Sequence, residues 1–124
     1  MQDALQGAAD HGTNDGEVER INLRLTNLRR AQIREANLVG AELTGANLSG
    51  TNLEHVTLTE ADLTGAYLRY AKLEGADLTR ADLREADLWG AYGLRPQQIE
   101  QAYGGRGTQL PSPLTAPASW SKAR

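Results

Sequence analysis

The sequence predicts an all-β solenoid, and three observations carry that prediction. Every fifth residue from Leu23 to Leu88 is leucine, with Ile33 as the single exchange. The residue two before each is Ala, Thr, Val or Ile, from Ile21 to Ala86. Glycines 40, 45, 50, 65, 75 and 90 all fall two residues after a central leucine. A five-residue period matches neither the 3.6 residues of a helical turn nor the 2.0 of a flat strand. It does match a solenoid whose five-residue sides turn two residues inward and three outward. The glycines then mark corners, where positive φ is easiest for them. Fourteen units run in register, and stability comes from their stacking, because one short unit buries no core alone.

The unit reads Ala-Asp/Asn-Leu-x-x, as in Ala61-Asp62-Leu63-Thr64-Gly65 and Ala76-Asp77-Leu78-Thr79-Arg80. It resembles the pentapeptide-repeat family over residues 18 to 92. The resemblance implies a right-handed quadrilateral β-helix with four repeats per coil. On that plan the chain makes about three and a half coils, spanning roughly 17 Å at β-spacing. Leucines fill the axis, and the inward Ala or Thr must be small because the tube is narrow. Each buried aliphatic side chain contributes about 1.5–3 kcal/mol, most of it offset by chain entropy. The family does not fix a function, since most members have no assigned activity.

Four segments follow. Residues 1–16, rich in Gly, Ala, Asp and Asn without apolar periodicity, are expected to form a flexible leader. Residues 17–93 are the β-helix, whose first coil starts near Val18 and whose register ends at Gly93. Residues 94–105 are expected to form a capping helix, with Pro96 in its first turn, Gly104-Gly105 ending it, and Leu94, Ile99 and Tyr103 on its apolar face. A solenoid must close its open edge or it recruits another chain. Residues 106–124, with Leu110, Pro111, Leu114 and Trp120, are expected to be an extended arm. The whole tail is similar to tails on some bacterial pentapeptide-repeat proteins. It departs at Arg95, where those tails often carry a Thr that caps the helix, because Arg supplies no capping oxygen.

Composition narrows the function. A net charge of −3 gives no general attraction to nucleic acid or to acidic membranes. With no cysteine there is no disulfide, thiol catalysis or thiolate metal site. No apolar run approaches the ~20 residues of a membrane span, and the N-terminus lacks a signal-peptide pattern. The default is a cytoplasmic protein without a membrane partner.

Folding the chain at a twenty-residue period sorts outward residues onto four faces. The first carries Glu42, Asp62 and Asp82 in one column. A straight carboxylate ladder does not close the six-oxygen shell a hard cation needs, so no metal is expected. The second face gathers Tyr67, Arg69, Tyr70 and Trp89, with Arg29 and Arg30 on the first coil. Tyr, Trp and Arg dominate interface hot spots, which makes Tyr67, Arg69, Tyr70 and Trp89 the candidate partner surface. The competing and favoured reading is that the C-terminal arm, with Leu110, Leu114 and Trp120, packs on that platform. The third and fourth faces are mixed and polar, and Asn37, Asn47 and Asn52 suit local turn hydrogen bonds.

Catalysis finds no support. His11 and His55 have no partner at usable spacing, and Ser49 and His55 fall on adjacent sides with no cleft between them. The glycines follow the corner period, not a phosphate-cradling G-x-G-x-x-G. No enzyme and no cofactor are expected. The leading expectation is a structural or protein–protein interaction module with an unidentified protein partner, monomeric or dimerised end to end. The alternative is mimicry of DNA towards gyrase or another DNA-binding protein, which the resemblance brings in because one branch of the family does this with a long acidic rod. This chain is short, has no Phe, and its first coil is basic through Arg20, Arg24, Arg29, Arg30 and Arg34. Direct nucleic-acid binding through that coil is disfavoured by the overall acidity.

Overall fold

Four ladders of parallel bridges, one per side, build the tube. The first runs Asn22, Glu42, Asp62, Asp82; the second Asn27, Asn47, Tyr67, Asp87; the third Gln32, Asn52, Lys72, Tyr92; the fourth Asn37, Thr57, Asp77. The computed structural model describes residues 20–122, so the expected leader, the early repeat at Val18 and His11 lie outside the described residues. Each bridging residue stands one before a central leucine. Its neighbours make the ladder bonds: the Leu43 amide donates to the Asp62 carbonyl at 2.8 Å, and the Asp62 amide to the Ala41 carbonyl at 2.9 Å. A turn every five residues leaves room for one bridging residue per side. The described residues therefore form no long strand, although their backbone is paired coil to coil.

The inward positions do what the period requires. Central residues from Leu28 to Leu88 are at most 2% exposed, and inward alanines from Ala36 to Ala86 at most 3%. Thr51, the buried polar exception, donates its hydroxyl to the Leu28 carbonyl one coil below at 2.6 Å. Corners close by an i to i+3 bond, as from the Ala66 amide to the Leu63 carbonyl at 3.0 Å. The third turn residue has positive φ, the mark of a type II turn. That conformation is not reserved for glycine here, since Leu25, Arg30, Glu35, His55, Glu60, Tyr70, Arg80 and Glu85 also adopt it.

Glycine at the corners therefore needs a second reason, and the stacking supplies it. A Cβ on Gly45 would meet Leu25 Cδ2 at 2.7 Å, one on Gly75 would collide with the His55 ring, and one on Gly90 would meet Tyr70 Cε1 at 2.7 Å. Leu25, His55 and Tyr70 each lean onto a glycine in the coil above. Gly65 has nothing within 4 Å of such a Cβ, so only its φ of 68° favours glycine. The Asp/Asn preference has an equally local cause. The Oδ1 of Asn22, Asn27, Asn37, Asn47, Asn52, Asp62, Asp77, Asp82 and Asp87 accepts from the amide two residues on, at 3.0–3.2 Å. These side chains satisfy a turn N–H that the ladders leave unpaired.

The tail departs from the sequence expectation in three ways. Helix α1 spans Pro96–Glu100, a single short turn in place of the expected 94–105. Arg95 has no acceptor to cap it. Instead Gln98 Oε1 accepts the Arg95 amide at 2.6 Å, while Gln98 Nε2 donates to the Leu73 and Ala76 carbonyls at 2.9 Å each. One glutamine thus ties the helix to the third-face corner below it, and Ile99 is buried at the end of the axis.

Second, the tube does not end at Gly93. Tyr103 bridges to Asp82 and Gln109 to Asp87, adding a rung to the first and second faces. Ala102-Tyr103-Gly104 and Thr108-Gln109-Leu110 occupy the small, bridging and central positions of two more units, at spacings of 21 and 22 instead of 20. Thr108 repeats the bond of Thr51, donating to the Leu83 carbonyl at 2.7 Å. Third, the arm ends in a helix, α2, at Ala118–Lys122. It delivers Trp120 over Gly104, where a Cβ would lie 2.5 Å from the indole. The ring is 4% exposed and its Nε1 donates to the Ala102 carbonyl at 3.1 Å. Gly104 stands where a central leucine belongs, and the indole fills the space that leucine would have filled.

Candidate functional site

The twenty-residue coil places Arg69 under Trp89 and Tyr70 under Gly90. Asp87 organises them. Its Oδ1 accepts the Trp89 amide at 3.1 Å and its Oδ2 accepts Arg69 Nε at 2.7 Å. The guanidinium so held lies 5.3 Å from the centre of the Trp89 ring, a cation–π distance. Tyr70, at positive φ, stands edge-on to the same indole, with centroids 5.5 Å apart and planes at 83°. The missing Cβ of Gly90 makes room for the tyrosine. Tyr67 projects from the same ladder, directly below Asp87.

Three of the four expected residues, Arg69, Tyr70 and Trp89, thus form one cluster, with Tyr67 beside them on the same face. Their surroundings correct the favoured expectation. The arm does not pack on them: Tyr67, Tyr70 and Trp89 remain 53%, 47% and 49% exposed. Trp120 goes to the end of the axis, because the gap over Gly104 buries an indole fully, whereas the wall already holds an Arg–Asp pair. Two residues of the cluster escaped sequence reasoning. Asp87 was hidden in the Asp/Asn column, and Gly90 in the corner column. The signal lay in the vertical neighbours, a carboxylate eighteen positions after an arginine and a glycine twenty after a tyrosine.

Elsewhere the polar groups are locally engaged. On the first face Asp62 accepts the Thr64 hydroxyl at 2.6 Å, Arg84 holds Asp82, and Arg24 lies 3.9 Å from Glu42. Among the described residues no three His, Asp or Glu side chains converge as metal ligands. An open groove of about 360 Å³ on the third face runs between Glu54, Lys72, Glu74, Tyr92 and Gly93. His55 sits on the third-face corner against Gly75, away from Ser49 on the second. No helix among the described residues is long and apolar enough to cross a membrane.

A four-sided parallel solenoid with one aromatic wall is the class of protein these features define. Residues 21–59 and 61–92 match the model for pentapeptide repeats, in eight copies. The chain belongs to the pentapeptide-repeat family, and its fold is the right-handed quadrilateral β-helix. Among solved structures it is similar to a pentapeptide repeat protein from Nostoc PCC 7120, at 37% identity over 78% of this chain and 75% of that one, with a TM-score of 0.61. A pentapeptide repeat protein of the Arabidopsis thaliana thylakoid lumen shares 27% identity over 73% of this chain and 55% of its own, with a TM-score of 0.56. No curated protein matches the chain. Members of this family are generally non-enzymatic structural repeat proteins.

Proposed function

We propose that this protein is a non-enzymatic interaction module that presents its second face to a protein partner through Tyr67, Arg69, Tyr70 and Trp89. The observation that carries the reading is a rigid aromatic cluster left about half exposed after the chain's own tail has docked elsewhere. Pre-organised Trp, Tyr and Arg side chains lose little entropy on binding, which is why such groups dominate interfaces. A bacterial cytoplasmic location is part of the same proposal, and cell fractionation tests it. Since the tail occupies the C-terminal end of the tube, an end-to-end dimer would form at the other end, and sedimentation distinguishes it from a monomer.

Affinity capture from native lysate tests the reading, comparing the intact protein with a folded Tyr67→Ala, Trp89→Ala variant. A protein retained by the first and lost by the second is the expected result, and equal recovery would overturn it. Mimicry of duplex DNA is the weaker reading. A duplex carries a negative charge every ≈1.7 Å of axis, whereas carboxylates here are interleaved with arginines, as in Arg80–Glu60, Arg69–Asp87 and Arg84–Asp82.

A further inference from the structure

The charge of the second face is unlike that of the other three. Between Asn22 and Arg95 its outward positions hold Arg29, Arg30 and Arg69 against a single carboxylate, Asp87. That carboxylate is already bonded to Arg69 and to the Trp89 amide. On the first and fourth faces carboxylates outnumber cations, and on the third they are equal. Arg29 and Arg30 are exposed and have no ion-pair partner among the described residues. By contrast Arg24 and Arg34, on the same coil, lie 3.9 and 3.6 Å from Glu42 and Glu54.

The geometry turns these residues into a strip. At the two turn positions of the second face the coils present Arg29-Arg30, Ser49-Gly50, Arg69-Tyr70 and Trp89-Gly90, stacked in that order. Four coils at about 4.8 Å rise roughly 15 Å. Ser49 and Gly50 form a saddle between a cationic foot and an aromatic head. The Arg30 stem lies along that saddle, its Cγ 3.4 Å from where a Gly50 Cβ would be.

We infer that this strip binds a short, extended acidic segment of a partner protein, its carboxylates on Arg29 and Arg30 and an apolar side chain against Tyr70 and Trp89. The inference rests on the interaction reading above and names the partner's chemistry. An extended chain rises about 3.3 Å per residue, so some five residues cover the strip. Complementary charge supplies orientation and encounter, while the aromatic head supplies the desolvated contact. A nucleic acid fits less well. A long polyanion would run past the strip onto faces whose carboxylates equal or outnumber cations, and on the strip it would meet only Arg29 and Arg30 without an ion-pair partner among the described residues.

The test selects peptides from a random display library on the full chain, then measures the selected peptides against three variants. Arg29→Glu with Arg30→Glu reverses the foot, Arg29→Gln with Arg30→Gln only removes its charge, and Trp89→Ala removes the head. Both arginines are exposed, and unchanged circular dichroism verifies the fold. The expected result is a pool enriched in Asp and Glu, salt-sensitive, and weakened about tenfold by the reversal and less by the neutral pair. A pool with no acidic surplus, or one bound equally by the reversed variant, overturns the inference. Tight binding of an oligothymidylate probe by the intact chain, with no acidic peptide selected, overturns it in favour of nucleic acid. If lysate capture depends on Trp89 while the selected peptides are not acidic, the interaction reading stands and only the acidic assignment falls.

Discussion

Coils of residues 21–92 and the closing coil of residues 93–122 solve one problem by opposite means. In the body, each side repeats a central leucine or isoleucine and a small inward residue, and most sides repeat an Asp/Asn turn, so neighbouring sides are nearly interchangeable. In the closing coil each job falls to a different, single residue. Gln98 anchors the helix, Thr108 reaches down to Leu83, and Trp120 fills the gap over Gly104. A redundant body tolerates local faults, whereas a closure built from single contacts does not. The largest effect should therefore come from Trp120→Ala, costing about 3–5 kcal/mol, the range for emptying a buried aromatic site. Its signature should be local. Amide exchange should rise at Leu83 and Leu88, which donate to Tyr103 and Gln109, before it rises at Leu43 or Leu58. Uniform loss of protection would mean that closure and body unfold as one unit.

Removing Gln98 tests the same contrast at a smaller scale. Gln98→Ala breaks one accepted and two donated bonds, leaving the half-buried carbonyls of Leu73 and Ala76 to find water. A cost of about 1–3 kcal/mol is expected, in the range for unsatisfied buried polar groups. It should appear as a lower urea midpoint. The nearest counterpart in the body is the single Thr51–Leu28 bond, and a polar substitution in the body at an outward position that makes no turn bond should cost at most about 0.5 kcal/mol. Within the body, two glycines sharpen the comparison further. Gly65→Ala and Gly90→Ala both place alanine at positive φ, for about 1–2 kcal/mol each. Only Gly90→Ala also drives into Tyr70, so it should forfeit a further 0.5–1.5 kcal/mol or so of aromatic pairing. It should change the near-ultraviolet dichroism of Trp89, while Gly65→Ala leaves it alone. Equal spectra would show that the Tyr70 ring swings clear without cost.

What the sequence made legible follows the same division. Wherever a contact repeats every five or twenty residues, as with Leu63 on the axis or Tyr70 and Trp89 on one face, periodicity placed it. The two added rungs could not be placed that way. Their spacings of 21 and 22 break the period, and Gly104 hides a central position that only Trp120, sixteen residues on, completes. The arm was expected on the aromatic wall because Trp120 needs burial, and nothing in the spacing revealed the gap over Gly104. Asp87 was legible only as a member of the Asp/Asn column, not as the partner of Arg69, since its turn bond and its pairing use different oxygens.

The smallest effect concerns the turn carboxylates, and Asp77 is the sharpest case. The Thr79 hydroxyl, then the Thr79 amide, hold its carboxyl below the usual value of 3.8. A folded-state pKa below the unfolded one means the ionised form is favoured by folding. The stabilisation is therefore complete above the unfolded value and is lost as pH falls through the folded one. Asp77 is exposed, so solvent screens the effect and about half a kcal/mol or less is at stake. Asp77→Asn keeps an Oδ1 to accept the Thr79 amide but cannot titrate. Its melting temperature should stay close to that of the parent at neutral pH and fall less steeply between pH 4 and pH 2, as thermal melts across that range would show. Parallel pH profiles would mean that the turn oxygen binds equally well when protonated. The Asp/Asn alternation along the coils would then be neutral to acid, and the choice between the two residues would answer only to the charge each face presents.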